Sequence, residues 1–229
     1  MLDEVSLLPP STGIVFLGDI FELWIGLKRY EDEGHRRFLD WCRSESAKRD
    51  VVFTEGNHEF YLALTRKDCF RSVSRRAVRR GNALFLHGDR INRKDVPYLL
   101  LRMGVRNAFT RLLLRLTGRA FGPALTHRVR LSLKTANMVN KKFFPEADMR
   151  RLMAVAGAKG VGHIFIGHFH DERELVSGDG TVRLHALPAF LNTHTAGLFD
   201  PADGSYVSGP FGSLAAEIRR KTTEGEDSL

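Results

Sequence analysis

Four short apolar runs punctuate this chain, and each one stops at a glycine with a polar residue beside it. They are GIVFLGD (13–19), DVVFTEGN (50–57), NALFLHGD (82–89) and HIFIGHF (163–169). Runs this short, rich in β-branched and aromatic residues, predict buried strands, and the glycines let the backbone turn as it leaves the sheet. Between the first two runs, residues 30–50 carry Phe38, Leu39, Trp41 and Cys42 among charged residues, the spacing of one apolar helical face. Strand, helix, strand predicts a layered α/β domain. From Val182 to Pro210 the pattern predicts short antiparallel strands with Pro and Gly turns, PADG among them. The polar end of the chain, residues 214–229, reads as a disordered tail.

One segment breaks the pattern. Residues 90–142 hold thirteen Lys or Arg and a single acid, Asp95, interleaved with leucines. They predict a helical insertion, bounded here at 92–148, rather than part of the sheet. In VPYLLLRMGVRNAFTRLLLRLTGRAF, arginines 102, 106, 111, 115 and 119 fall mostly four apart beside leucine-rich faces. Such a helix suits an anionic membrane surface, with guanidinium groups among phosphates and leucines in the acyl boundary. A hairpin packing its leucines on the domain is the plainer alternative. Nucleic acid is the less favoured partner, because aromatic stacking platforms are sparse.

A chain of 229 residues with 43% hydrophobic content is long enough for a single domain, 1–229, with a substantial core. A net charge of +8 points to an anionic partner without choosing among nucleic acid, phosphate compounds and membrane. Two cysteines, Cys42 and Cys69, offer neither a zinc spacing nor a disulfide framework, so a reducing cytoplasm is expected. No stretch of 18 apolar residues and no leader pattern is present.

The strand ends carry the chemistry. Asp19, Asn57 with His58, His87 with Asp89, and His168 with His170 offer carboxylate, amide oxygen and imidazole, donors that suit borderline divalent ions such as Mn, Fe or Zn. If the strand continued through GHFH, His168 and His170 would point to the same side and reach one metal pair together. His35, His127, His163, His185 and His194 receive no ligand role.

The order GD, GNH, HGD and GHxH over residues 15–170 resembles the calcineurin-like metallophosphoesterase superfamily. The resemblance implies a metallophosphoesterase-type β-sandwich flanked by helices and two divalent ions, taken here as Mn²⁺. It implies metal ligation by Asp19, bridging the two ions, by Asn57, His87 and His168 at one ion, and by His170 at the other. Asp19, Asn57 and His58 would be the catalytic set, with His58 beside the scissile phosphate. Glu59 and Asp89 would orient imidazoles. Within the superfamily, GDIFELWIG followed by HGDRINRKDVPY is similar to the group that hydrolyses UDP-2,3-diacylglucosamine. That similarity implies substrate contacts at Asn57, His58, Asp95, Tyr98, Asn137, Lys141 and His168. It also implies a nucleotide-lipid substrate, lipid A biosynthesis, a monomer, and a peripheral position on the cytoplasmic face of the bacterial inner membrane. His58 stands where that group carries arginine, and Leu133 and Asn140 also depart from its pattern.

The superfamily places an Asp-x-His motif upstream of the GD motif, yet none occurs in the eighteen residues before Asp19. MLDEVSLLPPSTG reads as the end of a helix and its loop leading into the second strand. The expectation is therefore that a first strand is missing, leaving one metal site complete and the other with Asp19 and His170. Three functions stay open: a pyrophosphatase for UDP-2,3-diacylglucosamine, a hydrolase of another phosphoester or nucleotide, and an inactive remnant that binds membrane or nucleic acid.

Overall fold

The computed structural model describes residues 1–92, 100, 102–104, 106–116 and 144–226. The chain is mixed α/β. A short helix, α1 (Leu2–Ser6), and a turn closed by the Thr12 amide on the Pro9 carbonyl lead into β1 (Ile14–Phe16). Next come β2 (Trp24–Ile25), α2 (Glu33–Ser46), β3 (Val51–Thr54), β4 (Glu59–Phe60), α3 (Leu62–Thr65) and β5 (Ser72–Ser74). β1, β3 and β5 form a parallel sheet in the order β1-β3-β5, with Val15 opposite Val52 and Phe53 opposite Val73. The second sheet uses β6 (Ala77–Arg80), β7 (Ala83–Leu86), β8 (His163–Ile166), β9 (Arg173–Val176) and β10 (Arg183–Ala186) in the order β6-β7-β8-β10-β9. Its centre, β7-β8-β10, is parallel and its two edges are antiparallel. The four apolar runs are thus β1, β3, β7 and β8.

Each sheet is covered by the helix that its sequence period demands. On α2, Asp32 accepts the His35 amide at 3.0 Å while the His35 ring takes the Asp32 amide, a reciprocal cap that fixes where the helix starts. Its buried Phe38, Leu39 and Cys42 then lie against Val51, Phe53 and Trp24. Downstream of α4 (Ala108–Leu116), helix α5 (Glu146–Gly157) buries Met149, Met153 and Ala156 against Ile164, Ile166 and Leu184. The alternate residues of β8 and β10, His163, Phe165 and His185, face the other side, where Phe199 and Tyr206 pack on them. Those two aromatics come from a hairpin of β11 (Thr195–Phe199) and β12 (Tyr206–Pro210), joined through PADG and preceded by α6 (Phe190–Thr193).

Two sequence expectations need correction. The late strands are not all antiparallel, because β10 adds to β8 in parallel before β9 closes the edge. The polar tail is not disordered from residue 214. It belongs to α7 (Phe211–Glu226), whose Leu214 and Ala215 are buried and whose Ala215, Phe211 and Ile218 pack with Val5 and Leu8. Composition missed this because a few apolar residues on one helical face suffice for docking. Most of the expected 92–148 insertion, including residues 117–143, lies outside the described residues.

Candidate metal centre

Asp19, Asn57, His87 and His168 each sit just beyond the C-terminal end of a strand, namely β1, β3, β7 and β8. Two come from each sheet, so the site lies where the two sheets meet rather than in the crevice of one open sheet. Their donors converge. The His87 Nε2 atom is 3.0 Å from Asn57 Oδ1, 3.2 Å from His168 Nδ1 and 3.3 Å from an Asp19 carboxylate oxygen, and His168 Nδ1 is 3.0 Å from the same Asn57 oxygen. Among the described residues, Asp19, His87 and His168 form a His and carboxylate group whose donor atoms all lie within 4.8 Å of one another.

The tautomer of His87 follows from its surroundings. Its Nδ1 is 2.6 Å from the Leu17 carbonyl, which only accepts, so Nδ1 carries the proton and donates. In the neutral ring Nε2 then presents a lone pair to the Asn57 oxygen, the Asp19 carboxylate and the other imidazole. Several acceptors facing one point call for a cation. Burial works to lower the His87 pKa, but the Asp19 carboxylate outweighs it and lifts the ring to about 9, so a proton on Nε2 competes with a metal ion for that point. Burial and the neighbouring His87 press His168 down to about 4. Asp19 is held well below the usual carboxylate range, since His87 and His58 overcome the cost of burying it. This oxygen and imidazole donor set fits one divalent ion.

The backbone is arranged around that set. Asp19, His168 and His170 have φ of 57°, 64° and 55°, in the left-handed region where non-glycine residues are strained. Three of the five such residues among those described are candidate ligands, so the strain is concentrated at this site. It also overturns the expectation for GHFH: β8 ends at Ile166, and His168 and His170 occupy a loop rather than a continuing strand. His170 lies exposed at the rim, near enough to His168 to depress its pKa further. His170 is not among the residues whose donors converge with Asp19, His87 and His168.

Gly18 and Gly56 make the close approach possible. Gly18 has φ 88°, and a Cβ there would come 2.5 Å from the Gly56 nitrogen. A Cβ on Gly56 would strike the Asp19 carboxylate and stand 2.8 Å from the His87 ring.

Glu59 differs from expectation. Instead of orienting an imidazole, its fully buried carboxylate accepts the amides of Asp19 at 2.8 Å, Ile20 at 2.9 Å and Gly56 at 2.8 Å, tying two ligand loops together. Asp89 is paired with Arg102. His58 donates its backbone amide to Asp19 at 3.0 Å, its Nδ1 lies 2.5 Å from the Glu22 carbonyl, and its Nε2 stands 3.8 Å from Asp19. The short β2–β4 ladder holds it there, with the Trp24 amide on the His58 carbonyl at 2.8 Å.

The arginine stripe is also revised. Arg106 is buried beneath the site, and Arg102 reaches the buried Asp89 carboxylate, so neither is available to a surface. Sequence reasoning missed both, because a spacing of four places residues on one helical face without saying which way that face turns. The expected substrate residues Asp95, Tyr98, Asn137 and Lys141 lie outside the described residues.

No family model matches the chain. It is similar to the UDP-2,3-diacylglucosamine hydrolase of Ectopseudomonas mendocina (strain ymp), at 26% identity over 172 residues, 70% of this chain and 68% of the relative. It is similar also to the UDP-2,3-diacylglucosamine hydrolase of Pseudomonas putida (strain W619), at 24% identity over 170 residues, 70% of this chain and 69% of the relative. The chain is therefore a mixed α/β protein with a cation-competent cluster and a distant likeness to hydrolases bearing that name.

Proposed function

We propose that this protein is a metal-dependent hydrolase that cleaves the pyrophosphate of UDP-2,3-diacylglucosamine, releasing UMP and 2,3-diacylglucosamine 1-phosphate. The observation that carries the reading is the convergence of Asp19, Asn57, His87 and His168 on one point in a chain distantly similar to two hydrolases named for that substrate. Divalent ions bound there, Mn²⁺ in this reading, supply charge neutralisation at a phosphoryl group and a more acidic water. Asp19, Asn57, His87 and His168 hold the first ion, and Asp19 with His170 contributes to a second. His58 anchors one ring nitrogen on the Glu22 carbonyl and turns the other toward Asp19, where it stabilises charge or delivers a proton to the leaving oxygen. Asn57, His58 and His168 also contact the substrate phosphate, joined by Asp95, Tyr98, Asn137 and Lys141 from the insertion.

The described part of the insertion favours a lipid. On α4, Leu114 is buried against Leu23, Ile25 and Tyr61, while Phe109, Leu112, Leu113 and Leu116 are 74%, 52%, 50% and 73% exposed. Such a face, in a basic chain, suits the acyl region of an anionic bilayer, here the cytoplasmic face of the inner membrane. No described helix is long and apolar enough to cross one. A second reading, hydrolysis of a different phosphoester, is favoured by His58 standing where the UDP-2,3-diacylglucosamine group carries arginine.

Assaying Mn²⁺-dependent turnover of UDP-2,3-diacylglucosamine beside UDP-glucose, a nucleoside monophosphate and a generic aryl phosphate decides between them. The nucleotide lipid is expected to be the best substrate, and preference for a soluble monoester would reject the proposal. His58→Ala is expected to lower kcat by about 10²-fold or more.

A further inference from the structure

The insertion does more than present an apolar face. Arg102 and Arg106 stand one helical turn apart at its root, with the Arg106 amide on the Arg102 carbonyl at 3.0 Å. Their guanidinium groups reach different ligand loops. Arg102 pairs with Asp89, two residues beyond His87. Arg106, buried over the ring of Phe60 with its guanidinium carbon 5.0 Å from the ring centre, donates to the carbonyls of Gly56 and of Glu59, the latter at 2.6 Å. It also faces the buried Glu55 carboxylate at 3.5 Å. Gly56 and Glu59 bracket Asn57 and His58, so one planar cation grips both ends of the loop that holds them.

We infer that Arg106 is a positioning residue: it sets the Gly56–Glu59 loop, and through it the placement of Asn57 and His58, so that the metal centre depends on how the insertion is seated. The physical reason is the shape of the group. A guanidinium presents several N–H donors in a rigid plane and satisfies two carbonyls and a carboxylate at once, whereas an ammonium is a compact point charge that does not reproduce that fork. Two acceptor carbonyls buried without their donor would draw the loop toward water, moving Asn57 Oδ1 from the point it shares with His87 and His168. Glu59 braces the same loop from its amide side, through Gly56, and Arg106 from its carbonyl side. The inference rests on the metal-dependent reading above for its consequence, but not on the identity of the substrate.

The test compares Arg106→Lys and Arg106→Met with the unaltered protein, using Arg219→Gln on α7 as a control for lost charge. Two quantities are read: amide hydrogen exchange across residues 56–59 in metal-free protein, and Mn²⁺ affinity from the free-ion resonance signal. Arg106→Lys is expected to speed exchange of the loop amides and weaken Mn²⁺ binding by about tenfold, with Arg106→Met more severe and Arg219→Gln unchanged. In turnover of the nucleotide lipid, kcat/KM should fall, because the loop that shifts carries both the reacting group and contacts to the phosphate. If Arg106→Met does not fold, Arg106→Lys carries the test alone. Unchanged loop exchange in Arg106→Lys would overturn the inference whatever the metal result. If the unaltered protein itself failed to bind Mn²⁺, the metal reading would fall and the exchange measurement would still decide the role of Arg106.

Discussion

At the scale of single residues, the site is governed by what fits between two loops. Gly56 has no room for a methyl group because the Asp19 carboxylate and the His87 ring already occupy it. Gly56→Ala is expected to displace both candidate ligands and weaken Mn²⁺ affinity at least about tenfold, as titration calorimetry would reveal. Glu59 is the second such position. Three backbone amides converge on its carboxylate, two on Oε2 and one on Oε1, and Glu59→Gln replaces one of these acceptors with an NH₂ that cannot accept. A loss of about 1–3 kcal/mol in urea unfolding is expected, whereas a change within about 0.5 kcal/mol would show that the tie contributes little to stability. The sequence pointed to the ligand types because glycine followed by a polar residue at a strand end is a local pattern. It did not reveal that Glu59 binds backbone rather than an imidazole, since that depends on how β1 and β3 end side by side.

Elements introduce constraints that no short motif contains. β8 and β10 run in parallel and place His163 and His185 side by side, 3.4 Å between ring nitrogens, under the β11–β12 hairpin. Burial lowers the pKa of His163, and it lowers that of His185 to about 4. Both folded values lie below the unfolded value, so the unfolded chain takes up protons first. The stability these residues contribute is present above pH 6.5 and is lost as the pH falls toward 4. Thermal unfolding at pH 7 and 4.5 should therefore show a smaller acid-induced fall in Tm for His185→Phe than for the unaltered protein. Equal falls would place the acid sensitivity elsewhere. Neither histidine has a ligand role in this reading, and their alternation with Ile164 and Leu184 was already present in the strand period. The loop at His168 was not, because a left-handed turn at a non-glycine residue leaves no compositional trace.

For the molecule as a whole, charge and apolar exposure act together. A chain of net charge +8 with four exposed apolar side chains on α4 should cosediment with vesicles containing anionic lipid. Raising the salt from about 0.1 M to 1 M shortens the Debye length from about 10 Å to 3 Å and should release much of it. Leu112→Glu with Leu116→Glu should reduce binding at either salt, and undiminished binding would remove α4 from the membrane contact. The alternation of residues and the glycine-bounded runs determined, from the sequence alone, the strand–helix–strand order, the amphipathic α2 and the oxygen and imidazole chemistry. These are local quantities, set by period and residue type. Tertiary structure decided that the donors come from two sheets, that α7 docks on α1, and that Arg102 and Arg106 turn inward to buried carboxylates and carbonyls. Those outcomes depend on which distant groups are left to be covered or neutralised when the layers pack, and a linear pattern does not encode that before the chain has folded.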